Sequence, residues 1–380
     1  MHSSKARPKV ILIQPILAHY RRSFIEFLLR SPEAEISVIA GHGLLPVKTF
    51  SPKPGSRISL LQNRSFRLGN HRFYWQSGLF ASVWKQQPDI LILPGIDFHF
   101  LSSLLLSLWI RFFTSTRLIW WGHATIEKQG KAGTWLRNFF FRLGNGIISY
   151  NKEGSAAIQR FFPEKKVMPL FNSLNLEDYG FEELHEKNPN PDCIRILFSG
   201  RLSHNKRLDV LLEALAILKN RHQCFSCRII GDGPALENAR MKAGAAGITD
   251  SVEFCGPVYG AEANALFCRS DLFVLPGKVG LSVVHALSFG LPVLTSGKLE
   301  IHSPEYELIE DGKNGGFFED FNAASLAGLI LTWKEKLIAE PELYRNHCRN
   351  SVREGSYLPD AMAKRMADFA LKVFEHETRN

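Results

Sequence analysis

Between Phe198 and Pro292 one pattern recurs: an apolar, β-type run ends in glycine and hands over to a helix-like segment. The first instance is Phe198-Ser199-Gly200-Arg201-Leu202, with Lys206 shortly after it. Gly231-Asp232-Gly233-Pro234 is the second, and the third runs from Asp271 to Gly277 and on through Gly280-Leu281-Ser282 to Gly290. A continuous apolar run suits a strand buried on both faces, and strands alternating with helices imply a parallel sheet covered on both sides. Along one edge such a sheet lines up glycines, free backbone N–H groups and helix starts, which is where anions bind.

The first half repeats this rhythm. Val10–Gln14, Glu35–Gly41, Pro88–Pro94, Arg117–Trp121, Gly146–Tyr150 and Lys166–Leu170 read as strands, with helices around Tyr20–Arg30, Gln76–Gln86, Trp135–Leu143 and from Lys152. Residues 42–72, rich in Pro, Gly, Ser, Lys and Arg, read as a long basic loop with one short strand. The apolar run 98–113 contains His99 and Arg111 and is short for a bilayer span of ~20 residues. It predicts a buried or membrane-apposed helix. Phe181–Asp192 reads as a linker, after which strand Ile194–Ser199 restarts the pattern and helices begin near Lys206, Pro234, Ala261, Leu281 and Pro304. Leu358–Glu375 is an amphipathic helix that must dock on something. The predicted fold is α/β, with two Rossmann-like doubly wound domains facing a central cleft. Residues 1–185 form the first domain, 186–355 the second, and 356–380 a helix returning to the first.

Charge divides the chain in the same way. Up to residue 170 there are 23 Lys and Arg against 8 Asp and Glu, and beyond it 23 against 29. A basic first half implies an anionic partner, such as a membrane surface or a phosphorylated acceptor. Nucleic acid is excluded because no recognition module accompanies the charge. The six cysteines are scattered, and Cys224-Phe-Ser-Cys227 lacks the second pair that a structural zinc site needs. No metal is expected. Reduced thiols, together with an N-terminus lacking a separate apolar signal region, predict a cytoplasmic protein.

Arg201 and Lys206 follow a buried-type strand in the loop that opens a helix, a place for cations that bind an anion. Gly231 and Gly233 suit a close backbone approach, and Asp232 reads as a turn residue. The amides of Gly280, Leu281 and Ser282 open a helix with His285 one turn inside, where spacing fits ligand contact and packing equally. His19, Tyr20 and Arg21, after the first strand, suit acceptor or phosphate contact, or a helix start with no ligand. Trp135 to Arg142 mixes aromatic and cationic residues, as an interfacial helix does.

Taken in order, Gly200-Arg201-Leu202…Lys206, Gly231-Asp-Gly-Pro234, Val252-Glu-Phe-Cys-Gly256, Asp271-Leu-Phe-Val-Leu-Pro276, His285-Ala-Leu-Ser-Phe-Gly-Leu-Pro-Val293 and Glu307 to Gly315 resemble the group 1 (family 4-like) glycosyltransferases of the GT-B fold. Trp121-Gly-His123, Ile148-Ser-Tyr150 and Phe171-Asn-Ser173…Asp178-Tyr179 are looser landmarks. The resemblance implies transfer of a sugar from a nucleotide-diphosphate sugar, with retention and no obligatory metal or cofactor. The acceptor would be a glycan or lipid-linked molecule in cell-envelope polysaccharide synthesis, at the inner face of a membrane. It implies that Arg201 and Lys206 neutralise the donor diphosphate, helped by Gly280 to Ser282. Phe254, Gly256 and Pro257 would line the base pocket with Gly231 and Gly233, and His123 would meet the donor sugar. One departure stands out. The family's Glu-x7-Glu falls at Gly277 and His285. A nucleotide-sugar-binding protein without catalysis, or an epimerase on the same fold, are the alternatives.

Overall fold

The computed structural model describes residues 7–43, 48–123, 131–173, 192–355 and 357–376. The chain divides into two compact units, Met1–Ser173 with Pro359–Asn380, and Leu174–Leu358. The fold is of the α/β class, with a Rossmann-like parallel sheet in each unit.

Unit 1 runs β1 (Lys9–Gln14), α1 (Arg22–Leu29), β2 (Glu35–His42), β3 (Ile58–Leu68), β4 (His71–Gln76), α2 (Leu79–Gln86), β5 (Ile90–Pro94), α3 (Leu101–Phe113), β6 (Arg117–Gly122), α4 (Lys131–Leu143), β7 (Gly146–Ser149), α5 (Lys152–Phe161) and β8 (Lys166–Pro169). The strand order is β4-β3-β2-β1-β5-β6-β7-β8. Successive residues of the central strands enter opposite layers, as a period of two requires. Val10, Leu12, Ile90, Ile92, Ile119 and Trp121 pack on one face, and Ile11, Ile13, Leu91, Leu93, Leu118 and Trp120 on the other. Both faces are apolar because both are covered, which is why these strands read as unbroken apolar runs.

Unit 2 runs β9 (Cys193–Ser199), α6 (Leu208–Asn220), β10 (Cys224–Ile230), α7 (Leu236–Ala245), β11 (Val252–Gly256), α8 (Gly260–Cys268), β12 (Leu272–Val274), α9 (Ser282–Ser288), β13 (Val293–Ser296), β14 (Gly315–Phe318), α10 (Ala323–Ala339) and α11 (Pro341–Glu354). Its sheet order is β11-β10-β9-β12-β13-β14, all parallel. Helix α12 (Pro359–His376) belongs to unit 1. There Met362, Met366, Phe369 and Val373 join Phe24, Ile25 and Leu28 of α1 in the core.

Three expectations need correction. The basic stretch 42–72 is not a loop with one short strand: it carries the 11-residue β3, paired antiparallel with β4 across Gly69-Asn70. Most of β3 is exposed, so it lacks an apolar run; the glycine-containing two-residue connection was its legible signal. Near Pro304 there is only a 3-10 segment, Pro304–Leu308. The next α-helix starts at Ala323, where the Asn322 side chain accepts from the Ala324 and Ser325 amides at 3.0 and 3.1 Å. The thiols are not all reduced. Cys193 and Cys224 are register partners at the starts of β9 and β10, with Cα atoms 4.6 Å apart, and they form a disulfide. Cys227, three positions along the strand from Cys224, projects from the opposite face and cannot share a metal with it. The linker Phe181–Asp192, except Asp192, and Asp178-Tyr179 lie outside the described residues.

Candidate functional site

In unit 2 the sheet order reverses beside β9, whose neighbours are β10 and β12. The loops leaving the carboxyl ends of β9 and β12 therefore meet at the switch point where ligands of open α/β sheets bind. They are joined backbone to backbone: Gly277 N donates to Lys206 O at 3.0 Å and Lys278 N to Asn205 O at 2.8 Å. The Lys206 ammonium donates to Lys278 O at 2.6 Å. Burial and the neighbouring Lys278 pull its pKa below the ordinary lysine value, and Glu305 opposes them. Glu305 is itself buried. A desolvated, held cation at a switch point is suited to an anion that supplies the missing charge. Arg201 is exposed, and no described residue hydrogen-bonds or ion-pairs with its guanidinium.

Gly277, which the resemblance puts at the first Glu of the family pattern, is closed sterically. A Cβ there would strike the Asn205 carbonyl oxygen and come within 2.7 Å of Lys206 Cα. The two loops close this position to any side chain. Gly280, by contrast, faces open space within its own loop.

His285, at the second Glu position, sits inside an aromatic stack. Its ring lies 4.0 Å from Phe267 and 5.2 Å from Phe289, and Nε2 is 3.3 Å from Asn264 Oδ1. Burial pulls its pKa down to about 3, so it is neutral. Gly231 and Gly233 let loops cross: a Cβ at either would strike the carbonyl of Gly200 or Leu202. They seat the loop that carries Arg201. Asp232 caps the turn, accepting from Gly233 N at 2.7 Å. Phe254 lies under the Arg240 guanidinium at 5.8 Å, and Gly256 accepts from Gly231 N at 2.8 Å. Pro257 follows β11 and is exposed.

In unit 1 the reversal lies at β1, between β2 and β5. A cavity of about 490 Å³ opens there, lined by Pro15, Gly95, Asp97, His123, Arg137 and Tyr150 among others. Gly95 and Gly122 end adjacent strands and nearly touch; a Cβ on Gly95 would come within 2.6 Å of Gly122 Cα. The exposed His123 ring lies 4.6 Å from that of Tyr150, tilted by 55°. Arg21 lies over Trp121 at 4.4 Å, donates to Tyr150 Oη at 2.8 Å and also to Gln14 Oε1. Arg21 and His123 thus share Tyr150. His19 and Tyr20, on the 3-10 turn before α1, stay exposed.

Sequence reasoning missed Gln14, Asp97, His99, Arg137, Lys278 and Glu305 as residues of these regions. The aromatic and cationic mix of Trp135 to Arg142 predicts an interfacial helix, yet Arg137 is buried while Trp135, two residues away, is exposed. Helical spacing carried the signal, since Arg137 shares a face with the buried Phe140 and Phe141.

Residues 180–353 match the family model described as glycosyl transferases group 1. The alpha-monoglucosyldiacylglycerol synthase of Streptococcus pneumoniae is 27% identical over 218 residues, 55% of this chain and 47% of that protein. The chain therefore spans about half the length of this curated relative. Among solved structures, a glycosyltransferase from Rickettsia africae superposes with a TM-score of 0.70 at 13% identity, covering 98% of this chain and all of that one. Anabaena HepE in complex with UDP does so with 0.65 at 15%, covering 96% of this chain and 100% of its own. Residues 180–353 of this protein thus match the group 1 glycosyltransferases, and its two-unit Rossmann-like architecture is that of the GT-B fold.

Proposed function

We propose that the protein transfers a sugar from a nucleoside-diphosphate sugar to a glycan or lipid-linked acceptor in cell-envelope polysaccharide or glycolipid synthesis, with retention and without an obligatory metal. The observation that carries this reading is Lys206, clamped between two loops at the unit 2 switch point with its charge only partly offset. Arg201 and Lys206 neutralise the diphosphate as negative charge gathers on the leaving group, an electrostatic contribution made before the reaction begins. The amides of Gly280, Leu281 and Ser282 bind the same phosphates, with His285 packed behind them. Gly231 and Gly233 hold the Arg201 loop, and Phe254, Gly256 and Pro257 line the base. The UDP bound by Anabaena HepE supports a uridine donor, and the monoglucosyldiacylglycerol in the name of the pneumococcal relative supports a lipid-borne acceptor. His123, Arg21, His19 and Tyr20 serve the acceptor and the reacting sugar.

Unit 1 would work against an anionic membrane surface. Trp84, Phe112, Phe113 and Trp135 are exposed on α2, α3 and α4, among Lys85 and Arg111. No helix among the described residues is long and apolar enough to cross a membrane. The closed position at Gly277 favours one second reading, a protein that binds nucleotide sugars without transferring them.

The test is a thermal-shift screen against UDP, GDP, ADP and their sugar conjugates, repeated with Lys206→Ala. One base family should raise the wild-type midpoint by mass action. Lys206→Ala should weaken that ligand at least about tenfold, the scale of one charge-assisted bond. Equal affinity in the variant would refute the clamp. Binding with neither transfer nor donor hydrolysis would favour the second reading.

A further inference from the structure

The unit 1 cavity contains a charge that no other described residue meets. Arg137 is 6% exposed, and its Nη1 is buried without a hydrogen-bond partner. No described residue hydrogen-bonds or ion-pairs with this guanidinium. Burial pulls its pKa down, and no described carboxylate pushes back. Removing a guanidinium from water without a partner is strongly unfavourable, and buried polar groups are otherwise met almost without exception. The other charged groups of the cavity do not serve Arg137. Asp97 is engaged with His99, whose Nδ1 lies 2.9 Å from Asp97 Oδ1.

The surroundings fit a ligand. The cavity lies at the carboxyl ends of β1, β5, β6 and β7, and its volume of about 490 Å³ is that of a small-molecule site. Gly95 and Gly122 keep its floor free of side chains. Phe98, Phe100 and Tyr150 line it beside Arg137 and His123. In such walls a guanidinium is best met by a planar or tetrahedral oxyanion that accepts two parallel N–H bonds. Neutral sugar hydroxyls supply no opposing charge.

We infer that Arg137 binds an oxyanion carried by the acceptor, so that this protein selects acceptors bearing a phosphate, a diphosphate or a uronate carboxylate. The inference rests on the glycosyl-transfer reading for calling the ligand an acceptor. Arg137 is a binding residue here; it takes no part in bond making.

The experiment uses the full chain in a Lys206→Ala background, so that the donor clamp does not compete for the probes. Pyrophosphate and glucuronate are titrated separately, with thermal midpoint and calorimetry as readouts. At least one should bind, pyrophosphate marking a phosphorylated acceptor and glucuronate a uronate. Adding Arg137→Met should abolish that binding without lowering the ligand-free midpoint, because it removes an unmet buried charge. Arg137→Lys should retain binding, weakened about tenfold or more. Absence of binding by both probes overturns the inference, as does binding that survives Arg137→Met. A fall in the ligand-free midpoint with Arg137→Met also overturns it, since the residue would then be structural. Nucleotide binding by the Arg137→Met protein, with Lys206 intact, reports on the donor site separately. If it persists while the anion probes fail, only this inference falls; if wild type binds no nucleotide, the transfer reading falls by itself.

Discussion

His285 shows how one side chain can be chemically capable of a role that its surroundings reshape. Imidazole can bond a ribose hydroxyl, but here the ring lies between Phe267 and Phe289 and stays neutral. Its folded pKa, about 3, lies below the ordinary 6.5 of the unfolded chain, so protons bind the unfolded chain more tightly. The stabilisation is whole above pH 6.5 and is lost as pH falls from there toward 3. Between pH 7 and pH 5 wild type should lose about 1–2 kcal/mol more than His285→Gln, measured by urea denaturation. Parallel pH profiles would mean that the ring titrates in water. The spacing of His285 was legible in sequence; its enclosure was not, because Phe267 comes from α8 and Asn264 from the same distant turn.

At the scale of elements, the loops after β9 and β12 act as one unit. Their pairing through Gly277 and Lys278 aims Lys206, and it works only because position 277 has no side chain. Gly277→Ala should push the loops apart, since the nearest atoms are backbone and cannot swing aside. Loss of the two bonds should cost about 1–3 kcal/mol by chemical denaturation and weaken nucleotide binding in parallel. A variant as stable as wild type with unchanged nucleotide affinity would show that the loops tolerate separation. By contrast, β3 and β4 were hidden in sequence for an opposite reason. A hairpin whose longer strand is mostly exposed needs no apolar run there, so composition described it as loop.

For the whole molecule, the chain leaves unit 1 at Ser173 and returns at Pro359. Met362, Met366, Phe369 and Val373 of α12 are buried in the unit 1 core. Burying four such side chains contributes on the order of 5–10 kcal/mol, comparable to the net stability of a domain. A chain ending at Leu358 should therefore lose cooperative unfolding of unit 1 and expose apolar surface, while unit 2 keeps its own transition in calorimetry. An unchanged two-unit thermogram would refute that dependence. The charge split follows the same division, and it was legible because it needs only counting.

Sequence by itself determined the class of fold, the strand–helix rhythm of both units and the family match carried by residues 180–353. These depend on periodicity and on motifs a few residues long, which are local. Tertiary structure alone decided that Gly277 is closed by the Lys206 loop, that Cys193 meets Cys224 and that Arg137 is buried without a partner among the described residues. Each of these depends on which distant segments pack together, and burial, not spacing, sets whether a charged or polar side chain is solvated, satisfied or left for a ligand.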